Sequence, residues 1–114
     1  MGTKIDLKQG TLDVLVLKSL SWEPLHGYAI SRWIQARTNS VLNVEEGALY
    51  PALHRLERRG WVESDWGRSE TNRRAKYYQL TPAGRAALGQ ETSEWRRYVD
   101  AVAQVLAAEG LDDA

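Results

Sequence analysis

A long amphipathic segment between residues 81 and 108 constrains this sequence more than any other feature. Thr81 followed by Pro82 is typical of a helix start, because the hydroxyl caps the first turn and proline suits the first helical position. Seam positions then recur at alternating spacings of four and three residues: Leu88, Thr92, Trp95, Val99, Val102 and Leu106. Such a helix is about 40 Å long, more than one domain of 114 residues covers. The seam is therefore predicted to pack against a second copy of the chain.

A first helix is predicted at about residues 11–20, with Thr11 as its cap and Asp13 in its first turn near the positive end of the helix dipole. Its apolar side chains nearly encircle it, so it needs cover on more than one side. In so short a chain, the second covering surface is expected to be another subunit. The residues assigned to a dimer interface are accordingly Leu12, Val16, Leu20, Leu88, Trp95, Val99, Val102 and Leu106.

Two more helices are predicted in the first half of the chain. Residues 23–27 contain Pro and Gly and form a connection, after which a second helix covers residues 28–37. Residues 41–44 are either a short strand or an extended link. The third helix covers about residues 45–59, because leucines recur at helical spacing and Gly60 is placed to end it.

Two strands follow, at residues 61–66 and 76–80. Residues 67–74 join them in a polar, basic loop that is longer than a tight turn. A long charged hairpin tip has little reason to exist for stability alone, which favours a binding role. The last residues, 110–114, are predicted to form a disordered tail.

The formal net charge of zero argues at first against a nucleic-acid partner. The charge is nevertheless sorted along the chain: residues 54–80 hold seven basic and four acidic residues, whereas residues 81–114 hold three and six. A neutral chain with such sorting can present one basic face. On this feature alone, a solvated surface with local fluctuations in charge explains the pattern about as well.

Several functional classes find no support in the sequence. There is no cysteine, hence no disulfide framework or thiolate metal site, and the two histidines, His26 and His54, lie on separate elements without acidic partners at metal-ligand spacing. Neither a nucleophile elbow nor a Gly-rich nucleotide loop is present. The adjacent Glu45 and Glu46 point about 100° apart on a helix and cannot form a facing acid and base. No catalytic residue, metal ligand or cofactor is predicted.

Membrane and export signals are also missing from the sequence. The longest apolar run, residues 14–17, is far too short to cross a bilayer, and the N-terminus lacks the apolar core of a signal peptide. The chain is therefore expected to be soluble and cytoplasmic, with no membrane partner.

The order of helix, helix, extended piece, helix and two strands is that of a winged helix-turn-helix. The chain also resembles the PadR family of transcriptional regulators over essentially its whole length. Four stretches carry the resemblance: His26-Gly27-Tyr28, residues 46–57 (EGALYPALHRLE), Gly60-Trp61-Val62 and residues 74–84 (RAKYYQLTPAG). The single C-terminal helix is similar to that of the short-tailed branch of the family, which dimerises through it. The resemblance implies an α+β, mostly α fold: a winged helix with a two-stranded wing (residues 1–80) and a long dimerisation helix (residues 81–109).

The resemblance implies that the third helix enters the major groove of double-stranded DNA and that the wing contacts its backbone. The implied DNA-binding residues are Tyr50, His54, Arg55, Arg58, Arg68, Arg73, Arg74 and Lys76. Structural alternatives stay open for two of them: Tyr50 could merely pack over the wing, and Arg58 could interact favourably with the negative end of the helix dipole. Where family members often have Ser or Thr, this chain has Glu45-Glu46, so that Glu46 either pairs with an arginine or accepts from a cytosine amine.

The resemblance further implies a repressor that binds an inverted repeat as a homodimer and controls a neighbouring operon, frequently one for a transporter. Release by a small aromatic effector is implied as well, with Trp95 as the candidate contact, since two-fold symmetry could bring two indoles together. The alternative for Trp95 is to fill the dimer interface. Two other functions remain open: a winged-helix adaptor that binds protein, and a DNA-binding regulator without a ligand.

Overall fold

The computed structural model describes residues 9–113, with side chains from Gly10 to Asp112. Residues 1–8 of the predicted DNA-binding domain and Ala114 of the predicted tail lie outside the described residues. The elements in chain order are α1 (Gln9–Ser19), β1 (Leu25–His26), α2 (Gly27–Arg37), α3 (Glu46–Arg58), β2 (Val62–Arg68), β3 (Arg74–Leu80), α4 (Pro82–Ala107) and a 3-10 turn (Leu111–Asp113). The fold is therefore α+β and mostly α, a winged helix followed by a long helix, as predicted. The 3-10 turn lies within the segment predicted as a disordered tail.

The apolar side chains of α1 form the centre of the core within the single chain. Leu12 and Val16 of α1, and Leu20 directly after it, are almost completely buried, and α1 packs against α2, α3 and α4. The expectation that these three residues face a partner subunit is therefore corrected, because they have no surface left for one. The encircling pattern arises because three helices of the same chain surround α1. The helix also begins at Gln9, so Thr11 lies inside it and is not its cap.

The sheet has three strands, in the order β1-β3-β2, all antiparallel. β1 pairs Leu25 with Tyr78 and lies within the segment predicted as a plain connection. Two residues are too short for side-chain alternation to be recognised in a sequence, which explains why only two strands were predicted. Residues 41–44 form no strand, although Val44 is buried in the core.

The turn between α3 and β2 anchors the start of α4. Gly60 ends α3 with φ +76°, a conformation that suits glycine, and Thr81 Oγ1 donates to its carbonyl at 2.6 Å. The same hydroxyl accepts from Gly84 N–H at 3.0 Å, which confirms the predicted cap, and Pro82 occupies the first turn. These bonds tie the end of the wing, the end of α3 and the beginning of α4 together.

Among the described residues, only the first part of α4 packs on the rest of the chain. Leu88 lies against the core, whereas Trp95, Val99 and Val102 are each about 40% exposed and Leu106 is 78% exposed. The second half of α4 thus presents an apolar row that the described residues leave uncovered.

Candidate nucleic-acid interface

A cleft of about 940 Å³ lies between the first turn of α2, the side of α3 and the hairpin formed by β2 and β3. Its lining combines aromatic and cationic side chains, including Tyr28, Arg32, Tyr50, Trp66, Arg74 and Lys76. Glu70 is the one acidic residue in this lining, against four cations, and a cleft that offers flat rings and net positive charge suits a polyanion with exposed groove edges.

α3 turns one face to the core and the other to solvent. Leu49, Leu53 and Leu56 are buried, whereas Tyr50 and His54, four residues apart and hence on one side of the helix, are exposed. Gly27 lets the Tyr50 ring cross the start of α2, since a Cβ there would lie 2.6 Å from the phenolic oxygen. Tyr50 therefore joins α2 and α3 and still presents 40% of its surface to the cleft.

Arg55 does not lie on this exposed face, contrary to prediction. Its Nη2 donates to Asp13 Oδ1 at 2.7 Å, and the two side chains are only 19% and 6% exposed. The adjacent position on a helix is rotated by about 100°, so Arg55 points to α1 while His54 points to solvent. Arg55 is a structural cation and is removed from the candidate DNA contacts. Asp13 likewise serves this ion pair and does not cap or charge the first turn of α1.

The hairpin separates its charges by face. Trp66 is opposite Lys76 and Arg68 is opposite Arg74, so all four side chains share one face, which is continuous with the buried face of the sheet. Glu63 and Asp65 belong to the other face, together with the rest of the alternate positions. A count of charges by segment does not show this separation. It follows from the strands within residues 62–80, because successive side chains of a strand point to opposite faces.

The tip of the hairpin is short and internally bonded. The strands extend to Arg68 and Arg74, which leaves Ser69–Arg73 as the connection, shorter than the predicted loop of residues 67–74. Ser69 N–H donates to the Arg73 carbonyl and Asn72 N–H to the Ser69 carbonyl, both at 2.8 Å, while Asn72 adopts φ +62°. Tyr77 Oη braces the tip by donating to the Arg68 carbonyl at 2.9 Å. Arg73 is exposed at a tip that this bonding holds in shape.

Cations of the cleft lie against aromatic rings. The guanidinium carbon of Arg74 is 4.3 Å from the centre of the Trp66 ring, and that of Arg32 is 5.6 Å from the centre of Tyr28. Arg32 Nη1 also donates to Tyr28 Oη at 2.9 Å. Sequence reasoning did not assign Tyr28 or Arg32 to the site, although their spacing of four residues on one helix could have linked them.

The start of α2 is held by His26, another cleft residue that was not assigned. Its Nδ1 accepts from Ala29 N–H at 3.2 Å, so the imidazole caps the helix, and its ring meets Tyr77 edge-on at 5.4 Å. The cap fixes the helix turn from which Tyr28 and Arg32 project. Its signal in the sequence is weak because histidine is not a common capping residue.

The remaining predicted residues do not line the cleft. Arg58 is exposed at the end of α3. Glu46 is exposed in the first turn of α3 and forms no ion pair with a described arginine. Glu45 precedes the helix and accepts from Asn43 Nδ2 at 2.6 Å, which turns it aside from the helix end. The two acids therefore lie exposed at the start of α3 and outside the lining of the cleft.

Tyr78 closes the base of the cleft. Its burial raises the pKa of the phenol, and the nearby Glu57 carboxylate and Tyr50 raise the pKa further. Glu57 is itself held by Ser64 Oγ, which donates to its Oε2 at 2.9 Å. Tyr78 thus stays neutral and contributes a ring, not a charge, to the site.

Residues 10–112 bring together no group of three metal-ligating side chains, and none of the helices described is long and apolar enough to cross a membrane. The second half of α4 carries the other candidate site, where the rings of Trp95 and Tyr98 lie 5.8 Å apart on the exposed side of the helix.

Comparison with known proteins gives a consistent result. The family model described as the transcriptional regulator PadR-like family matches residues 16–90. An uncharacterized protein from Lysinibacillus sphaericus is 33% identical over 90 residues, which are 79% of this chain and 83% of the relative. A solved transcriptional regulator from Clostridium thermocellum is 33% identical, with a TM-score of 0.75 over 82% of this chain and 91% of its own. A PadR family transcription regulator from Clostridium difficile is 32% identical, with a TM-score of 0.71 over 84% and 98%.

Proposed function

Because this chain belongs to the PadR-like family of transcriptional regulators, and is thus a DNA-binding regulator and not an enzyme, we propose that it is a repressor that binds an inverted repeat as a homodimer. α3 would lie in the major groove, with Tyr50 and His54 towards base edges. Arg68, Arg73, Arg74 and Lys76 of the hairpin would neutralise phosphates. A dimer on a promoter would repress by excluding polymerase, in the cytoplasm where the DNA lies.

One observation carries the proposal. Arg73, Arg74 and Lys76 of the hairpin and Tyr50 of the exposed face of α3 line the same cleft, although they come from elements that are separate in the sequence. The strand acids Glu63 and Asp65 are on the opposite face. Glu70 of the tip is outnumbered in the cleft by Arg32, Arg73, Arg74 and Lys76, so a duplex there would meet net positive charge on the wing and hydrogen-bonding side chains on the helix. This arrangement favours DNA over a protein as the partner.

The test is the salt dependence of duplex binding. The unaltered chain should bind a labelled duplex in fluorescence anisotropy with an affinity that falls steeply with salt. The double substitution Arg73→Ala/Arg74→Ala should weaken binding to every duplex and lower the log-log salt slope by roughly one to two. The double substitution Arg37→Ala/Arg85→Ala removes the same charge outside the cleft and should leave the slope unchanged. Absence of salt-sensitive binding to any duplex would favour a protein adaptor instead.

We also propose that a planar aromatic effector binds at Trp95 and releases the repressor from DNA. Trp95 is 40% exposed and its ring lies beside Tyr98, so a flat ligand would find two ring faces on one side of the helix. Planar cationic dyes should quench tryptophan fluorescence, and Trp95→Ala should abolish the quenching. Quenching that survives this substitution, or none by any dye, would leave Trp95 with a packing role and favour a regulator without a ligand.

A further inference from the structure

Trp66 is an exposed indole on the cleft-facing side of the hairpin. It leaves 56% of its surface to solvent, while Val62, Tyr78 and Leu80 below it already close the core on the same face. An indole so exposed gains little stability from burial. Packing in the core therefore does not explain why a tryptophan occupies this position.

The contact that Trp66 makes is with Arg74. Trp66 is paired with Lys76, and Arg74 lies two residues further along the same face, so the two side chains are diagonal neighbours. The guanidinium carbon is 4.3 Å from the ring centre, well inside the range of a cation–π contact. By comparison, Lys76 Nζ is 6.0 Å from the Tyr78 ring, at the edge of that range.

Arg73, the residue before Arg74, is an arginine of the hairpin that is not stacked on an aromatic ring. It lies in the tip, where its backbone N–H donates to Ser69 Oγ at 3.3 Å, and its guanidinium lies over none of the aromatic rings of the described residues. An unsupported arginine side chain loses rotamer freedom when it binds a phosphate. A guanidinium already stacked on a ring has lost much of that freedom and still has N–H groups at its edge for an anion.

We propose that Trp66 is a positioning residue for DNA binding: its indole holds the Arg74 guanidinium so that the N–H edge faces the duplex. This inference rests on the proposed function, because it assigns Arg74 to the DNA interface. Trp66 does not contribute a contact of its own to the DNA, and its effect passes through Arg74.

A double-substitution cycle tests this inference with the full-length chain and a labelled duplex three helical turns long and of mixed sequence. Trp66→Ala should weaken binding about fivefold in the unaltered background and have no effect in the Arg74→Ala background. In the control cycle with Arg73→Ala, Trp66→Ala should keep its full effect. The salt slope should fall with Arg74→Ala and not fall again when Trp66→Ala is added.

Two further variants separate the ring from its bulk. Trp66→Leu keeps an apolar side chain and should lose as much affinity as Trp66→Ala, whereas Trp66→Tyr keeps a ring face and should recover most of it. Thermal unfolding by circular dichroism checks that each variant is folded. If Trp66→Ala does not fold, the comparison of Trp66→Leu with Trp66→Tyr still shows whether the aromatic ring is needed for binding.

The outcomes are distinct. If Trp66→Ala lowers the affinity equally in the unaltered and the Arg74→Ala backgrounds, Trp66 contacts the DNA itself. If it lowers the affinity in neither, the stacking does not contribute to binding. Each result overturns the inference but not the proposed function. Failure of the unaltered chain to bind any duplex would overturn the proposed function and this inference with it.

Discussion

Gly84 and Gly89 lie five residues apart on α4, but their surroundings are opposite. A Cβ at Gly84 would overlap the backbone carbonyl oxygen of Trp61, which is held in place because it accepts from Thr81 N–H at 3.1 Å. A Cβ at Gly89 would meet no heavy atom of the described residues within 4 Å. The missing side chain at Gly84 therefore sets how closely α4 crosses the end of α3, and hence the direction in which α4 leaves the winged domain.

Substitution of these two glycines should change stability in opposite directions. Gly84→Ala should lower the free energy of unfolding by about 2–3 kcal/mol, because backbone has to move to admit the methyl group. Gly89→Ala should raise it by roughly 0.5–1 kcal/mol, since alanine is the better residue inside a helix and nothing obstructs it. Urea unfolding followed by circular dichroism measures both values. Shifts of the same sign would contradict the packing described here.

Asp13 and Arg55 form a largely buried ion pair between α1 and α3. Asp13→Leu should destabilise the chain by about 3 kcal/mol, because it leaves a partly buried guanidinium without its carboxylate. Asp13→Leu/Arg55→Met replaces both charges by apolar groups and should cost clearly less than the single substitution. The same urea experiment gives the coupling free energy between the two positions. Losses that simply add would show that the ion pair is not a unit.

These two residues also show where prediction from sequence fails. Asp13 is predicted near the start of one helix and Arg55 near the end of another. The helix dipole favours an acid and a base at these positions, so neither residue needs a distant partner to explain it. Nothing in the periodicity of either segment links positions 42 residues apart. The buried pair exists only because α1 packs across α3, so it could be recognised only in three dimensions.

The elements themselves follow local signals more closely. α2, α3 and α4 begin and end within a residue of their predicted bounds. The reason is that Gly27, Gly60 and the Thr81-Pro82 pair are local signals, which can be recognised from a few adjacent residues. β1 was missed because its two residues become a strand only through β3, far along the chain. The separation of charge on the hairpin was within reach of the sequence, since the register of an antiparallel pair follows from alternation once both strands are assigned.

α3 should carry the discrimination between sequences. Tyr50→Phe and His54→Ala should each weaken binding to the operator by more than binding to random duplex, since a good base contact is worth about 1–3 kcal/mol. Tyr50→Phe removes only the hydroxyl and keeps the ring that packs over Gly27. Arg58→Ala, at the end of the same helix, should weaken both duplexes alike because a phosphate contact carries no sequence information.

The measurement requires an operator, which sequencing of DNA crosslinked to the protein would supply. Anisotropy titrations of operator and random duplex at one salt concentration then give the ratio of affinities for each variant. Equal losses on the two duplexes for Tyr50→Phe and His54→Ala would assign both residues to positioning and move the sequence readout elsewhere.

The whole molecule is long and asymmetric, with extents of 60 × 35 × 22 Å. α4 alone is about 39 Å long, and its second half, beyond the contact with α1, carries most of the exposed apolar side chains. Because Leu12, Val16 and Leu20 are buried within the chain and Leu88 lies against its core, the proposed dimer interface is confined to the later seam residues Trp95, Val99, Val102 and Leu106. A symmetric pair of chains joined there would place two α3 helices on one face of DNA, with half-sites about 10 base pairs, or a multiple, apart.

Charges placed in the seam should separate the dimer without unfolding the chain. Val99→Glu/Val102→Glu introduces two carboxylates where two copies of α4 would meet, at positions that have no part in the core of the single chain. Sedimentation velocity should then show a monomer, and operator affinity should fall by about a hundredfold or more because the two half-sites are no longer linked. Ala101→Glu/Gln104→Glu adds the same charge on the opposite side of the helix and should leave both the dimer and the affinity intact. A dimer that withstands the seam substitutions would exclude this half of α4 as the interface, and the spacing of half-sites would then have to be set by another surface.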